Sequence, residues 1–158
     1  QAHYYTNFTY WTQHCWGVTC VNDMEAMLSY LPISTDNKDQ ALADLVRCYE
    51  RMMMRSHTNG GYVNLLDECW KMCEKFNVNI VIMYDYVSCK NVGGLHGLFE
   101  DQARERGIHL IWIPHDVMDP RTVSRREMRE AFNQYMTTVL REEPLDPTLL
   151  DYEDNLSW

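Results

Sequence analysis

The sequence VNIVIMYDYVSCKNVGG (78–94), followed after a polar segment by IHLIWIPHDVMDPR (108–121), decides the fold. Both segments open with an apolar run that has the length and composition of a buried strand, and the residues between these runs predict a helix. A strand, a helix and a strand in this order predict two parallel strands joined by a crossover. One thiol, that of Cys89, follows the first strand, at the edge where open α/β sheets carry their functional groups.

Helices account for most of the remaining chain. Capping residues predict a short helix from Asn22, a helix capped by Thr35 or Asp36, and a helix opened by the Ser124–Glu127 capping box. Gly107 is expected to end the helix that precedes the second strand. The helix after Asp36 has an apolar face that predicts core packing, made of Leu42, Leu45, Val46, Tyr49, Met52 and Met53. The predicted elements are a strand near 8–11, helices at 22–31, 37–54, 62–76, 92–106 and 124–140, and strands at 78–84 and 108–113.

This order of elements predicts an α/β domain with an open parallel sheet flanked by helices, of the flavodoxin or Rossmann type. Two or three strands make a thin sheet, so we expect it to be completed by another part of a longer subunit. The predicted domain spans 1–158, and residues 143–158 form an acidic, irregular tail. We expect the sequence to be a piece of a longer chain, cut before Gln1, and Trp158 to be the natural C-terminus.

Length and charge exclude several functional classes. A chain of 158 residues that is 46% hydrophobic suffices for one core. It has no run of about 18 apolar residues, as a membrane span needs. The net charge of −9 argues against binding to nucleic acid, which needs a basic face. Gly93, Gly94 and Gly97 lack the dinucleotide-binding spacing, and the serine hydrolase motif is absent.

Six cysteines occur in the chain. Without a secretory signal, and with a sufficient core, reduced thiols and a cytoplasmic location are expected. Cys69 and Cys73 lie one helical turn apart, a spacing that suits a metal, but the neighbouring Leu66 and Trp70 favour core packing. The remaining cysteines outside the strand end match no metal motif: Cys15, Cys20 and Cys48.

Cys89 has the position that best suits chemistry. Backbone N–H groups at the start of a helix and the neighbouring Lys90 stabilise a thiolate. Gly93 and Gly94 keep the turn open for a bulky group. A thiolate here would serve as a nucleophile or a metal ligand, and an ordinary buried cysteine is an equal alternative.

Other polar residues near the strand ends leave alternatives open. Asp116, Asp119 and Arg121 follow the second strand, where they would form a structural turn with an Asp–Arg pair or line the same crevice as Cys89. Two histidines are weaker candidates because the sequence identifies no partner for either ring: His14 and His96.

Together these motifs resemble the C-terminal domain of the 2-hydroxyacyl-CoA dehydratase family, which includes the ATP-dependent benzoyl-CoA reductases. The resemblance covers roughly 37–141. It rests on SCK at 88–90, RERGI at 104–108, HDVMDPR at 115–121, and the arginines 125, 126 and 129 ahead of Phe132.

The resemblance implies a lyase subunit that holds a [4Fe–4S] cluster through three cysteines, one of which is Cys89. The other two are expected in domains that this chain lacks, so the isolated chain would be inactive. Four residues are candidates to support the cluster ligand: Ser88, Lys90, His115 and Asp116. The implied reaction is a radical elimination of water from a 2-hydroxyacyl-CoA, which gives an enoyl-CoA under anaerobic conditions.

The resemblance also implies partners. They are the rest of the same subunit, a homologous second subunit in a heterodimer, an ATP-dependent iron–sulfur activator that delivers one electron, and the acyl-CoA substrate. Two alternatives remain open. The chain would be a fragment of a benzoyl-CoA-type reductase, or a non-catalytic flavodoxin-like binding module in which Cys89 is structural.

Overall fold

The computed structural model describes residues 7–24, 31–52, 55, 57, 60–116, 119 and 121–151. None of its described helices is both long and apolar enough to cross a membrane. In chain order the described helices and strands are α1 (Asn7–Trp16), α2 (Lys38–Glu50), α3 (Tyr62–Phe76), β1 (Ile80–Tyr86), α4 (Lys90–Gly93), α5 (His96–Arg106), β2 (His109–His115) and α6 (Arg125–Tyr135). A π-helical segment (Met136–Leu140) continues α6, and a 3₁₀ turn (Pro147–Leu149) follows. The chain divides into two compact units, namely the described residues of Asn22–Val78 and those of Ala2–Val21 with Asn79–Trp158.

In the first unit, helix α3 has the predicted bounds and an apolar face at helical spacing. Its buried residues are Leu65, Leu66, Cys69, Trp70 and Cys73. The helix ends at Asn77, whose left-handed backbone (φ 52°) returns its N–H to the carbonyl of Cys73. Core packing of Cys69 and Cys73 is therefore confirmed, since both thiols are 5% exposed on this face.

Helix α2 exposes the face that the sequence predicted to be buried. Asn37, rather than Thr35 or Asp36, caps it by accepting bonds from the N–H groups of Asp39 and Gln40. The predicted core face is exposed by half or more at Leu42, Leu45, Val46 and Tyr49. Met53 and most of the helix predicted from Asn22 lie outside the described residues.

The residue that α2 buries is polar. Asp44 accepts hydrogen bonds from the Ser34 N–H and the Gln40 amide, both at 2.9 Å, and pairs with Arg47. The Ser34 bond, followed by that of Gln40, lowers the pKa of the Asp44 carboxyl. These hydrogen bonds turn the carboxylate inward, and the apolar stripe on the helix consequently faces water.

The second unit contains a parallel pair of strands, so a mixed α/β structure with a parallel sheet is confirmed. Ile80 pairs with His109, and the register runs without a break to Tyr86 and His115. The strands lie one or two residues later than predicted. All seven residues of β1 are only partly buried, so the prediction that this strand is buried on both faces was wrong.

Aromatic side chains from two helices cover one face of this sheet. The fully buried Phe132 of α6 meets Phe8 at 5.9 Å and Trp11 at 5.7 Å, both edge to face. Ile111 and Ile113 of β2 complete this core, and alternate residues of β1 pack against it. Helix α5 contacts the opposite face through Phe99, whose ring lies 6.2 Å from that of Trp112.

Helix α1 replaces the strand predicted near residues 8–11. Its buried residues recur with the helical period, at Phe8, Trp11, Thr12, Cys15 and Trp16. The aromatic and threonine content of the segment favours a strand by propensity, and the packing of these side chains on α6 and the sheet overrides it.

The single helix predicted over 92–106 is two helices. The four-residue α4 ends in a turn at Gly94 and Leu95, and α5 then runs to Arg106. Leu95 is only 6% exposed, so the turn directs this side chain into the core. As predicted, Gly107 ends α5 in the left-handed conformation (φ 67°).

The acidic tail is anchored to α1. The Trp11 indole N–H donates to the Leu149 carbonyl at 2.8 Å, and the Leu145 N–H donates to the Cys15 carbonyl at 2.7 Å. A 3₁₀ turn at Pro147–Leu149 lies between these contacts. These bonds hold residues 145–149 against the core.

The capping box of α6 gives a stability prediction. The Ser124 hydroxyl accepts a hydrogen bond from the Glu127 N–H, and the Glu127 carboxylate accepts one from the Ser124 N–H. Ser124→Ala should lower the free energy of unfolding by about 1 kcal/mol, measured by urea denaturation. Ser88→Ala, at an exposed serine, is the matched control. Equal midpoints for both variants would show that the cap is dispensable.

Candidate functional site

The carboxyl ends of β1 and β2 meet at one edge of the sheet. Tyr86 lies opposite His115, and the Val87 N–H donates to the His115 carbonyl at 3.1 Å. The chain then turns at once, because the Cys89 N–H donates to the Tyr86 carbonyl at 2.9 Å. Cys89 is thereby held at this edge, as predicted.

Cys89 is the N-cap residue of α4, and its carbonyl accepts the Gly93 N–H at 3.0 Å. Its side chain is partly buried and makes no capping hydrogen bond. Ser88 and Lys90, on either side, are exposed. Cys89 is thus partly exposed at a turn, with a hydroxyl and a cation beside it in sequence.

The turn next to Cys89 is open. A Cβ atom added at Gly93 or at Gly97 would meet no other atom within 4 Å. The predicted open space is therefore confirmed at Gly93. At Gly94 the prediction was wrong, because a Cβ added there would lie 3.2 Å from the Lys90 carbonyl oxygen.

His115 occupies a different environment from that of Cys89. Its ring is completely buried and lies 5.4 Å from the Tyr84 ring and 5.3 Å from the Tyr86 ring. The strand register accounts for this position, since Tyr84, Tyr86 and His115 lie on the same face of the sheet. A supporting role of His115 toward Cys89 stays a prediction.

The residues after β2 form a hydrogen-bonded loop. Both carboxylate oxygens of Asp119 accept from the Arg121 guanidinium, at 2.8 and 2.7 Å. The Asp116 carboxylate accepts from the Asp119 N–H and the Thr122 hydroxyl. The structural Asp–Arg turn is therefore present, and the role of Asp116 toward Cys89 stays a prediction.

A histidine at this edge has a partner that the sequence did not identify. His96, the first residue of α5, places Nε2 at 3.3 Å from Oδ1 of Asp85, near the end of β1. Its ring stacks on Trp112, with centroids 3.6 Å apart and planes at 16°. The strand register, which puts Asp85 and Trp112 on the α5 face, was the signal that would have found this pair.

All six cysteines are free thiols. Burial, with a smaller contribution from the Asp146 carboxylate, raises the pKa of the Cys15 thiol to about 11, so this core cysteine is unreactive near neutral pH. Among the described residues, no group of three or more His, Cys, Asp or Glu side chains could hold a metal ion. At the edge of the sheet, Cys89 thus offers one thiol as a metal ligand.

Comparison with known protein families gives a match to this chain. The family described as 2-hydroxyglutaryl-CoA dehydratase, D-component, matches residues 2–136. No curated protein matches this chain, and no solved structure does.

The Asp119–Arg121 pair gives a pH prediction. Hydrogen bonds from Arg121 lower the pKa of the Asp119 carboxyl from 3.8 to about 2. Because the pKa is lower in the folded state, the pair stabilises the fold above pH 3.8, and this stabilisation is lost as the pH falls toward about 2.

Arg121→Gln should move the Asp119 titration midpoint, followed by carboxyl NMR shifts, up toward 3.8. Arg126→Gln removes an arginine that pairs with Glu130 on α6 and should leave that midpoint in place. An unchanged midpoint in Arg121→Gln would contradict the assignment.

Proposed function

This chain belongs to the 2-hydroxyglutaryl-CoA dehydratase D-component family, and on that basis we propose that it forms part of an iron–sulfur 2-hydroxyacyl-CoA dehydratase subunit. The family is a component of a dehydratase, which is a lyase, and a component implies partner subunits. The observation that carries the proposal is the partly exposed Cys89 at the carboxyl edge of the parallel sheet.

Cys89 is the proposed cluster ligand of this chain. The thiol follows β1, is partly buried, and leads into the open turn at Gly93. Because the described residues contain no other grouping of metal ligands, further cysteine ligands are proposed to come from other parts of the subunit. A bound [4Fe–4S] cluster would supply a Lewis-acidic iron for the thioester carbonyl and a store for one electron.

The neighbours of Cys89 have proposed supporting roles. The Lys90 ammonium would offset the negative charge of the thiolate, and the Ser88 hydroxyl would donate a hydrogen bond to its sulfur. The open positions at Gly93 and Gly97 would admit the acyl-CoA thioester. His115 and Asp116 would stiffen the edge from the β2 side.

The fold is proposed to be part of a larger open sheet of the flavodoxin or Rossmann type. The sequence of β1 (IVIMYDY) is largely apolar, yet every one of its residues is partly exposed. This combination suits a strand that has neighbouring strands on both edges in the larger sheet. The proposed partners are the rest of the subunit, a homologous second subunit and an ATP-dependent iron–sulfur activator.

One prediction of the proposed function concerns the isolated chain. Expressed anaerobically, it should fold, as judged by circular dichroism, and bind far less than stoichiometric iron and sulfide. One thiol cannot hold a [4Fe–4S] cluster that the family is expected to bind through three cysteines. A brown sample with stoichiometric iron and sulfide would overturn the view that ligands are missing.

Another prediction of the proposed function concerns the full subunit. Cys89→Ala should abolish iron retention and dehydration of 2-hydroxyacyl-CoA, whereas Cys20→Ala, at an exposed cysteine, should preserve both. Full iron content and full turnover in Cys89→Ala would rule out the ligand assignment. Turnover of an aromatic acyl-CoA by the intact complex, without dehydratase activity, would instead identify a reductase.

A further inference from the structure

The Asp85–His96–Trp112 cluster lies beside Cys89 along the chain, and the proposed cluster chemistry does not use it. Asp85 is the last residue but one of β1, and His96 follows the short helix that Cys89 caps. The imidazole contacts the Asp85 carboxylate at 3.3 Å through Nε2 and the Trp112 indole face at 3.6 Å. Two contacts of different kinds therefore fix both the position and the plane of this ring.

The contact with Asp85 favours one tautomer of His96. A carboxylate only accepts hydrogen bonds, so the contact is a hydrogen bond when Nε2 of His96 carries the proton. In that tautomer Nδ1 is the ring nitrogen that remains for a bound molecule. A carboxylate that orients imidazole in this way is the arrangement by which histidine acts in general acid–base catalysis.

Stability does not account for the pair. The side chains of His96 and Asp85 are 33% and 45% exposed, and exposed ion pairs contribute only about 0–1 kcal/mol. The residue after His96 is Gly97, where an added Cβ would meet no atom within 4 Å. A partly exposed ring that is held by two partners is arranged to meet a bound molecule.

We propose that His96 is the acid–base residue that protonates the leaving hydroxyl of the 2-hydroxyacyl group, with Asp85 and Trp112 as positioning residues. The proposal rests on the dehydratase function proposed above. Imidazolium gives its Nδ1 proton to the oxygen as the C2–O bond breaks, and water leaves. The electron pair of the C2–O bond stays on the oxygen. The neutral imidazole then takes the proton lost from C3, and the electron pair of that C–H bond forms the C2–C3 double bond. The ring ends protonated as it began, so the net reaction is redox-neutral.

The test uses the intact dehydratase complex with a 2-hydroxyacyl-CoA. His96→Gln should lower kcat by at least about 100-fold, the usual contribution of a general acid, with KM and iron content close to those of the wild type. Asp85→Asn and Trp112→Phe should give intermediate losses of kcat. His109→Gln, at the amino end of β2, should leave kcat unchanged.

A second variant separates catalysis from structure. His96→Ala removes the ring beside Gly97, and added imidazole should restore part of its turnover. A loss of kcat in His96→Gln that is smaller than about 100-fold overturns the assignment to His96. Loss of iron in both His96 variants, without rescue of His96→Ala by imidazole, overturns it as well. Absence of turnover in the wild-type complex overturns the dehydratase proposal and this one with it, whereas wild-type turnover that survives His96→Gln overturns only this one.

Discussion

The parallel pairing of β1 with β2 is the constraint on which the site depends. Parallel strands send both of their carboxyl ends to one edge, and the register brings Tyr86 opposite His115 there. After β1 the chain makes a tight turn to Cys89, and after β2 the Asp116 carboxylate accepts a hydrogen bond from the Asp119 N–H. Both strands therefore present the residues that follow them at the same edge of the sheet.

The two faces of this sheet are covered differently. Aromatic side chains of α1 and α6 cover one face, where His115 packs against the tyrosines of β1. The other face is covered by α5, whose first residue lies against Asp85 and Trp112 near the edge. Burial therefore gives the two histidines at this end of the sheet different environments. His115 lies inside the core, and His96 retains access to solvent.

The sequence predicted the elements whose signals are local, and it failed where tertiary packing decides. Gly107, the Ser124 capping box and the strand runs are local signals, and each has its predicted role. The α1 segment has strand-favouring composition, and only its contacts with Phe132 reveal a helix. The partnership of Asp85 with His96 needed the strand register, which no single segment contains.

Helix α2 and the aromatic core around Phe132 contribute differently to the temperature dependence of stability. Its apolar stripe is already in water in the folded state, so its unfolding exposes little new apolar surface. The heat capacity of unfolding rises with newly exposed apolar surface and falls with exposed polar groups such as those around Asp44. The contribution of α2 to a stability curve is therefore nearly flat, whereas the aromatic core around Phe132 contributes strong curvature and cold sensitivity.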